Sequence, residues 1–289
     1  MTPPPGERIA ARPAEQLKDP SAPHRSQARG GPLQEDQVPD VVVEPDADRL
    51  ARAVGAALVA RLAAAQAVHG TASVVLTGGG IGTAVLERVA DLVREPARER
   101  VDWTAVDVWW GDERWVPAAD DDRNELGARR ALLDPAGVPA ERVHAMPASD
   151  AGFAEPEDAA AWYADQLAAA APEGQPLPRI DVLLLGVGPE GHVASIFPGT
   201  PAVSDERTVL AVRDCPKPPP TRVSLGFRTI NAAEEVWLLV SGAAKATAVA
   251  QALSGEVTPD QLPAAGVHGR RATRWLLDAE AAGELDGQG

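Results

Sequence analysis

The stretch DVLLLGVGPEGHVASIFPGT, residues 181–200, joins a short apolar run to a glycine-rich turn. An apolar run of this length, bounded by turn residues, is typical of a buried strand in a parallel sheet. Gly186, Gly188 and Gly191 give the turn a G-x-G-x-x-G spacing, which also occurs in dinucleotide-binding folds. In those folds the turn opens a long helix, whereas Pro198 leaves space for barely two helical turns. The pattern therefore favours a strand followed by a tight turn over a dinucleotide site.

His192 and Glu190 lie in this turn, directly after the predicted strand. Ligands of open α/β sheets bind beyond the carboxyl ends of the strands, so His192 is expected at the mouth of a cleft. An imidazole is suited to general-base catalysis near pH 7, and a neighbouring carboxylate can fix its tautomer. The alternative is a histidine at a helix start that only bonds the backbone. Ser195 follows closely, but no G-x-S-x-G motif surrounds it, so a nucleophilic serine is not predicted.

Strand-like and helix-like patterns alternate along the rest of the chain. Strands are predicted at 106–110, 180–185, 208–212, 222–227, 235–242 and 273–278, with another in SVVL before the glycine loop. Helices are predicted from Asp46 or Asp48 onwards, after that loop, and at 124–133, 157–170 and 243–253. The alternation predicts an α/β fold with a mostly parallel sheet covered on both faces. We expect a single domain over residues 40–282, a proline-rich disordered extension at 1–39 and a flexible C-terminus at 283–289.

The composition excludes several classes of protein. A net charge of -15 and a pI near 4.8 disfavour nucleic acid as a partner, although local cations can still bind a small phosphorylated ligand. The single cysteine, Cys215, excludes an internal disulfide, and no stretch approaches the ~18 uninterrupted apolar residues that a membrane-spanning helix needs. The N-terminus lacks the apolar segment of a signal peptide, so a cytoplasmic protein without membrane contact is expected. The acidic stretch at 119–125 has no nearby histidine, and no metal site is predicted.

Two further loops complete the expected site. The segment WWGDERWVP, residues 109–117, places Asp112 and Arg114 just after a predicted strand, among tryptophans that indicate a partly buried loop. The segment LTGGGIGTA places Thr77 and Gly78, Gly79 and Gly80 between a strand and a helix N-terminus. Free backbone N–H groups and the positive end of the helix dipole make such a turn a potential phosphate-binding site. The alternative is a tight turn between strand and helix that binds no ligand.

These segments resemble, in order, the 6-phosphogluconolactonase family. The resemblance rests on LTGGG (76–80), WGDERWVP (110–117), LGVGPEGHVASIFPG (185–199), CPKPPPTRVSL (215–225) and VWLLVSGAAKA (236–246), and it covers nearly all of the chain after residue 40. It implies a Rossmann-like three-layer α/β/α fold, shared with glucosamine-6-phosphate deaminases and ribose-5-phosphate isomerase A. It also implies hydrolysis of 6-phospho-D-glucono-1,5-lactone in the oxidative pentose phosphate pathway, without metal or organic cofactor. The sequence does not distinguish a monomer from a homodimer.

The resemblance also implies roles for individual residues. His192 matches the catalytic histidine, Glu190 the acid beside it and Arg114 the arginine of the DER motif, which also contains Asp112. Lys217, Arg222 and Lys245 match positions that bind substrate or phosphate, together with the loop from Thr77 to Gly80. Structural alternatives remain for Arg222, as an ion-pair partner of Asp112 or Glu113, and for Lys217, as an ordinary loop lysine.

Two positions depart from the family pattern. Glu190 stands where an aspartate is usual, so its carboxylate reaches one methylene further. The glycine loop lacks a hydroxyl at Gly80, for which Thr77 or Thr83 is a substitute. A deaminase on the same scaffold and a sugar-phosphate sensor without catalysis are the alternative functions.

Overall fold

The computed structural model describes residues 38–95 and 101–285. It contains nine strands in this part of the chain. They are β1 (Asp40–Glu44), β2 (Ala72–Leu76), β3 (Val106–Trp110), β4 (Asp112–Arg114), β5 (Val182–Gly186), β6 (Val209–Val212), β7 (Arg222–Leu225), β8 (Glu235–Val240) and β9 (Ala272–Asp278). Six of them form one parallel sheet in the order β1-β9-β8-β5-β2-β3, and β4-β7-β6 form a small antiparallel sheet.

The central strands are continuous runs of apolar, mostly β-branched or leucine residues that are buried along their whole length. This is the pattern expected of a parallel sheet covered on both faces. The α/β class predicted from the sequence is confirmed, but two of the predicted strands, β6 and β7, belong to the antiparallel sheet. Periodicity could not separate them from the parallel strands because both kinds are short, apolar and buried.

The helices are α1 (Ala47–His69), α2 (Gly79–Arg94), α3 (Asn124–Ala128), α4 (Asp134–Ala136), α5 (Pro156–Ala169), α6 (Phe227–Ile230) and α7 (Ala246–Ser254). Of the two predicted caps for α1, Asp46 is the one used, since its carboxylate accepts a hydrogen bond from the N–H of Arg49 at 2.8 Å. The helix ends at Gly70, whose φ of 78° suits glycine.

Two local predictions need correction. Residues 112–114 were expected to be a loop after β3, but they form β4, because their backbone pairs with β7 across the second sheet. The helix expected over 124–133 is α-helical only to Ala128 and continues as a π-helical turn over Arg129–Leu133. Strand β1 was not predicted at all; its five residues pair with β9 only at the edge of the sheet.

Helix α1 has the length and apolar composition of a membrane span, the one such helix in the described ranges. In the structure its buried residues, including Leu50, Leu58 and Leu62, belong to the hydrophobic core. The predicted extension at 1–39 lies outside the described residues except for its last two positions, as does the predicted C-terminal tail beyond residue 285.

The connections between strands determine where a cleft can form. From β2 the chain moves outward to β3, whereas β5, on the other side of β2, leads toward β8 and β9. Loops that leave the carboxyl ends of β2 and β5 therefore diverge, and in open α/β sheets ligands bind in the crevice at such a switch point. The second sheet is attached beside this point, since the N–H of Gly111 donates to Leu76 and its carbonyl accepts from Leu225.

Candidate active site

A cavity of about 530 Å³ opens at the carboxyl edge of the parallel sheet. Its wall is built mainly from the segments that follow β2, β3, β5 and β8. All of the predicted site residues except Glu190 line it: Thr77, Gly78, Gly79, Gly80, Asp112, Arg114, His192, Lys217, Arg222 and Lys245. The structure therefore brings together residues from five separate sequence segments.

The glycine loop after β2 forms one wall. Gly78 is the N-cap of α2 and supplies no side-chain cap, so the first-turn N–H groups of this 16-residue helix are left to a ligand or solvent. Gly79 has a φ of 82°, which a glycine adopts without strain. The positive end of the helix dipole adds to these donors. This arrangement matches the predicted anion seat.

Asn124 fixes this loop against β4; it lies downstream of the WGDERWVP segment that contributes to the resemblance, but the sequence assigned it no role. A Cβ on Gly78 would lie 1.9 Å from the Asn124 side-chain oxygen, so Asn124 packs directly on the loop. Its amide nitrogen donates to the carbonyl of Asp112 at 2.9 Å. The signal that could have identified it is its position at the start of the first helix after the DER motif.

Glu113, which the sequence suggested only as a possible ion-pair partner of Arg222, has a different role in the structure. Its buried carboxylate accepts hydrogen bonds from the backbone N–H groups of Arg114, Asn124 and Glu125 at 2.7–2.9 Å. Burial raises the pKa of Glu113, although Arg123 and these N–H groups oppose the rise. Glu113 thereby ties β4 to the start of α3, and it holds Asn124 against the glycine loop.

The turn after β5 is a tight hairpin that presents His192. Val187 pairs with Val193, the N–H of Gly188 donates to the carbonyl of His192, and the N–H of Gly191 donates to the carbonyl of Gly188. A Cβ on Gly188 would lie 1.9 Å from Nδ1 of His192, so only glycine leaves space for the imidazole there. Gly188, the second glycine of the G-x-G-x-x-G spacing, thus makes space for the imidazole, whereas a Cβ on Gly191 would meet Leu262.

His192 is mostly buried, with 18% of its side chain exposed, and its ring stacks on Phe197 at 4.5 Å between centroids. Nδ1 lies 3.2 Å from Oε1 of Glu190, at ion-pair distance but without the alignment of a hydrogen bond. Burial lowers the pKa of His192 below its ordinary value of 6.5, although the negative charge of Glu190 acts in the opposite direction. The imidazole is therefore neutral at pH 7, as a general base requires.

Asp112 and Arg222 form a buried layer beneath the cavity. Oγ of Ser195 donates to Oδ2 of Asp112 at 2.7 Å, and Nη1 of Arg222 lies 3.7 Å from the same oxygen. The other nitrogens of Arg222 donate to the carbonyls of Lys217, Pro218 and Pro219. The contact with Asp112 is the ion pair given as the structural alternative for Arg222, and the donors to the loop carbonyls additionally support the 217–220 loop.

Arg114 and Lys245 supply positive charge without a carboxylate partner within ion-pair distance among the described residues. Arg114 donates to the carbonyl of Asp122, and its Nε has no partner in the described ranges. Lys245 stands at the N-cap of α7 and donates to the carbonyl of Val187. Burial, followed by the charge of Lys217, lowers the pKa of Lys245.

Backbone N–H groups that could stabilise a developing oxyanion lie in two segments beside the cavity, the turn at 186–191 and the glycine loop at 78–80. The N–H groups of Gly186, Gly188 and Gly191 all donate within the protein, to Thr77, His192 and Gly188 respectively. The first turn of α2 is therefore the better supported source. Within the described ranges, no cluster of three or more histidine, cysteine, aspartate or glutamate residues could hold a metal ion.

Comparison with known proteins places the chain in a family. Residues 45–275 match the sequence family described as glucosamine-6-phosphate isomerases/6-phosphogluconolactonase. A 6-phosphogluconolactonase of Streptomyces coelicolor is 51% identical over 251 residues, which are 86% of this chain and 95% of that protein. One from Mycobacterium tuberculosis is 49% identical, over 85% of this chain and 98% of that protein.

Solved structures agree with the fold. The 6-phosphogluconolactonase of Trypanosoma brucei is 29% identical and aligns with a TM-score of 0.72, over 86% of this chain and 98% of that one. A monomeric glucosamine-6-phosphate deaminase aligns with a TM-score of 0.70 at 19% identity, over 84% of this chain and 98% of that one. The second likeness concerns the fold alone.

Proposed function

Because the chain belongs to the family of glucosamine-6-phosphate isomerases and 6-phosphogluconolactonases, we propose that it hydrolyses 6-phospho-D-glucono-1,5-lactone, with His192 as the general base. The product is 6-phospho-D-gluconate, and the reaction belongs to the oxidative pentose phosphate pathway. The observation that supports this assignment best is the arrangement of the cavity. A mostly buried histidine on the turn after β5 faces the same space as an uncapped helix N-terminus after β2.

The reaction needs a positioned water and a proton acceptor, because a δ-lactone is an activated ester. Nδ1 of His192 is buried beside Glu190, which leaves Nε2 to take a proton from water as the water attacks C1 of the lactone. The imidazolium so formed then protonates the ring oxygen as the C1–O bond breaks. One residue thus acts first as base and then as acid, and no covalent intermediate with Ser195 is required.

Two negative groups have to be stabilised, the substrate phosphate and the oxyanion that develops on C1. We assign them to the positively charged wall formed by the first turn of α2, Arg114 and Lys245. Binding of the phosphate, which is remote from C1, positions the lactone over His192. Loss of one oxyanion donor typically raises the barrier by about 3 kcal/mol.

The proposed partner is therefore a small phosphorylated lactone, with neither metal nor organic cofactor assigned to the reaction. The net charge of -15 disfavours nucleic acid, and the unpaired Cys215 is compatible with a reducing cytoplasm. Monomer and homodimer are both compatible with this proposal.

The test is hydrolysis of 6-phosphogluconolactone, coupled to 6-phosphogluconate dehydrogenase and corrected for spontaneous ring opening. We expect enzymatic turnover that His192→Ala lowers by about 10²- to 10⁴-fold in kcat, with a modest change in KM. Ammonia release from glucosamine 6-phosphate at ordinary enzymatic rates would instead identify a deaminase. Binding of 6-phosphogluconate without any acceleration of lactone opening would identify a sensor.

A further inference from the structure

Three charged or ionisable side chains form a connected chain at the edge of the cavity. Nζ of Lys217 lies 3.0 Å from both carboxylate oxygens of Glu190, and Oε1 of Glu190 lies 3.2 Å from Nδ1 of His192. Because one oxygen contacts both groups, Nζ and Nδ1 can be at most about 6 Å apart. Lys217, Glu190 and His192 come from two separate loops, so the contact depends on the tertiary fold.

The loop that presents Lys217 is held in place from below. The guanidinium of Arg222 donates to the carbonyls of Lys217, Pro218 and Pro219, and it also faces Asp112. Lys217 itself remains 43% exposed, so it adds its charge without being part of the core. This support fixes the backbone from which the ammonium reaches Glu190.

The position of the Glu190 carboxylate decides how it acts on His192. Alone, a carboxylate at 3.2 Å would favour the protonated imidazole and so lower the fraction of the neutral form that can accept a proton near pH 7. The lysine on the other side of that carboxylate offsets its charge. The charged groups that face His192 are Glu190 from its own turn, Lys217 from the 217–220 loop and Asp112 from β4, whose carboxylate is engaged by Ser195 and Arg222.

We propose that Lys217 is a positioning residue for the general base and not a ligand of the substrate phosphate. It holds both oxygens of Glu190 and balances the negative charge of that carboxylate beside His192. The proposal rests on the proposed function, since it takes His192 to be the base. It differs from the role that the sequence resemblance implied for Lys217, which was binding of substrate or phosphate.

The experiment compares Lys217→Met, which keeps the length of the side chain without its charge, with the charge-conserving Lys217→Arg. The matched control is Arg270→Gln, which removes one exposed positive charge just before β9. This position lies at the amino ends of the parallel strands, whereas the cavity lies at their carboxyl ends. The first readout is the NMR titration of the His192 ring in the ligand-free protein, assigned by its absence in His192→Gln. The second readout is the pH dependence of kcat/KM for 6-phosphogluconolactone.

In Lys217→Met we expect the His192 titration and the acid limb of kcat/KM to move together to higher pH. The expected shift is about 0.5–2 pH units, as for two charges about 6 Å apart at an effective dielectric constant between about 80 and 20. Above both midpoints, kcat/KM should return to within about threefold of the unmodified enzyme. Lys217→Arg should restore most of the shift, and Arg270→Gln should show none.

The proposal is overturned if the His192 titration in Lys217→Met coincides with that of the unmodified protein. It is also overturned if KM rises at every pH while the acid limb stays in place, because that result describes a phosphate ligand. The NMR titration needs no catalysis, so a protein without lactonase activity would refute the proposed function and still report on the contact between Lys217, Glu190 and His192.

Discussion

Gly188→Ala is the substitution that most directly tests the geometry of the site. A Cβ at this position would lie 1.9 Å from Nδ1 of His192, 2.2 Å from Cε1 and 2.7 Å from Oε2 of Glu190. The backbone of Gly188 does not have a left-handed φ, so alanine is compatible with the local conformation. The added methyl group therefore conflicts with the two proposed catalytic side chains and not with the fold.

The size of the effect follows from these distances. Non-bonded heavy atoms prefer separations of at least about 3.5 Å, so the imidazole has to move by roughly 1.5 Å. A displacement of about 1 Å at a reacting group typically lowers a rate about 100-fold. We therefore expect kcat/KM to fall by about two orders of magnitude or more. The free energy of unfolding should fall by no more than about 1–3 kcal/mol, because the displaced imidazole is mostly buried against Phe197 while the backbone conformation is unchanged.

The assay is coupled lactone hydrolysis together with urea unfolding of the same preparation. Gly127→Ala is the matched control, because a Cβ on this residue of α3 would meet no atom within 4 Å. Its kcat/KM should equal that of the unmodified enzyme. A Gly188→Ala protein that keeps full kcat/KM would show that the position of His192 against Glu190 does not limit the reaction, and the proposed general base would have to be abandoned.

Three further results are expected. Burial lowers the pKa of His192 below 6.5, so kcat/KM should be constant near pH 7 and should fall only as the pH drops below 6.5, where the imidazole takes up a proton. A pH–rate profile measures this dependence, and an acid midpoint above 6.5 would contradict the expectation. Ser195→Ala should reduce the free energy of unfolding by about 1–3 kcal/mol, because it leaves the buried Asp112 carboxylate without its 2.7 Å donor, yet it should lower kcat far less than His192→Ala. Lys245→Ala should mainly raise KM in steady-state assays, and a loss confined to kcat would place Lys245 at the reacting carbonyl instead.

The sequence was sufficient to predict the class of fold, because the parallel strands are visible as short apolar runs between helical segments. It could not assign β4, since DER consists of three charged residues that resemble a solvated loop. Their strand conformation comes from pairing with β7, more than a hundred residues later, and from burial of Glu113 among backbone donors. Such long-range pairing leaves no local periodicity to detect.

Residues of the site could be predicted where their chemistry is visible in a motif, as for His192, Arg114 and the glycine loop. The residues that these side chains contact could not be predicted in the same way. Whether Lys217 meets a phosphate or Glu190, and whether Arg222 faces the ligand or its own loop, depends on how two separate loops meet. The supporting role of Asn124 was likewise not apparent, because it arises only where α3 approaches Gly78.

The distribution of partners explains how a chain with a net charge of -15 can present a site for an anion. Each carboxylate close to the cavity is already engaged: Asp112 by Ser195, Glu113 by three backbone N–H groups and Glu190 by Lys217. The remaining acidic surface acts over distances comparable with the Debye length of about 8–10 Å at physiological salt, so its repulsion is weakened inside the cleft. The first turn of α2, Arg114 and Lys245 then determine the local potential. Substrate affinity should accordingly depend on these few groups and on their supporting contacts far more than on the overall charge of the protein.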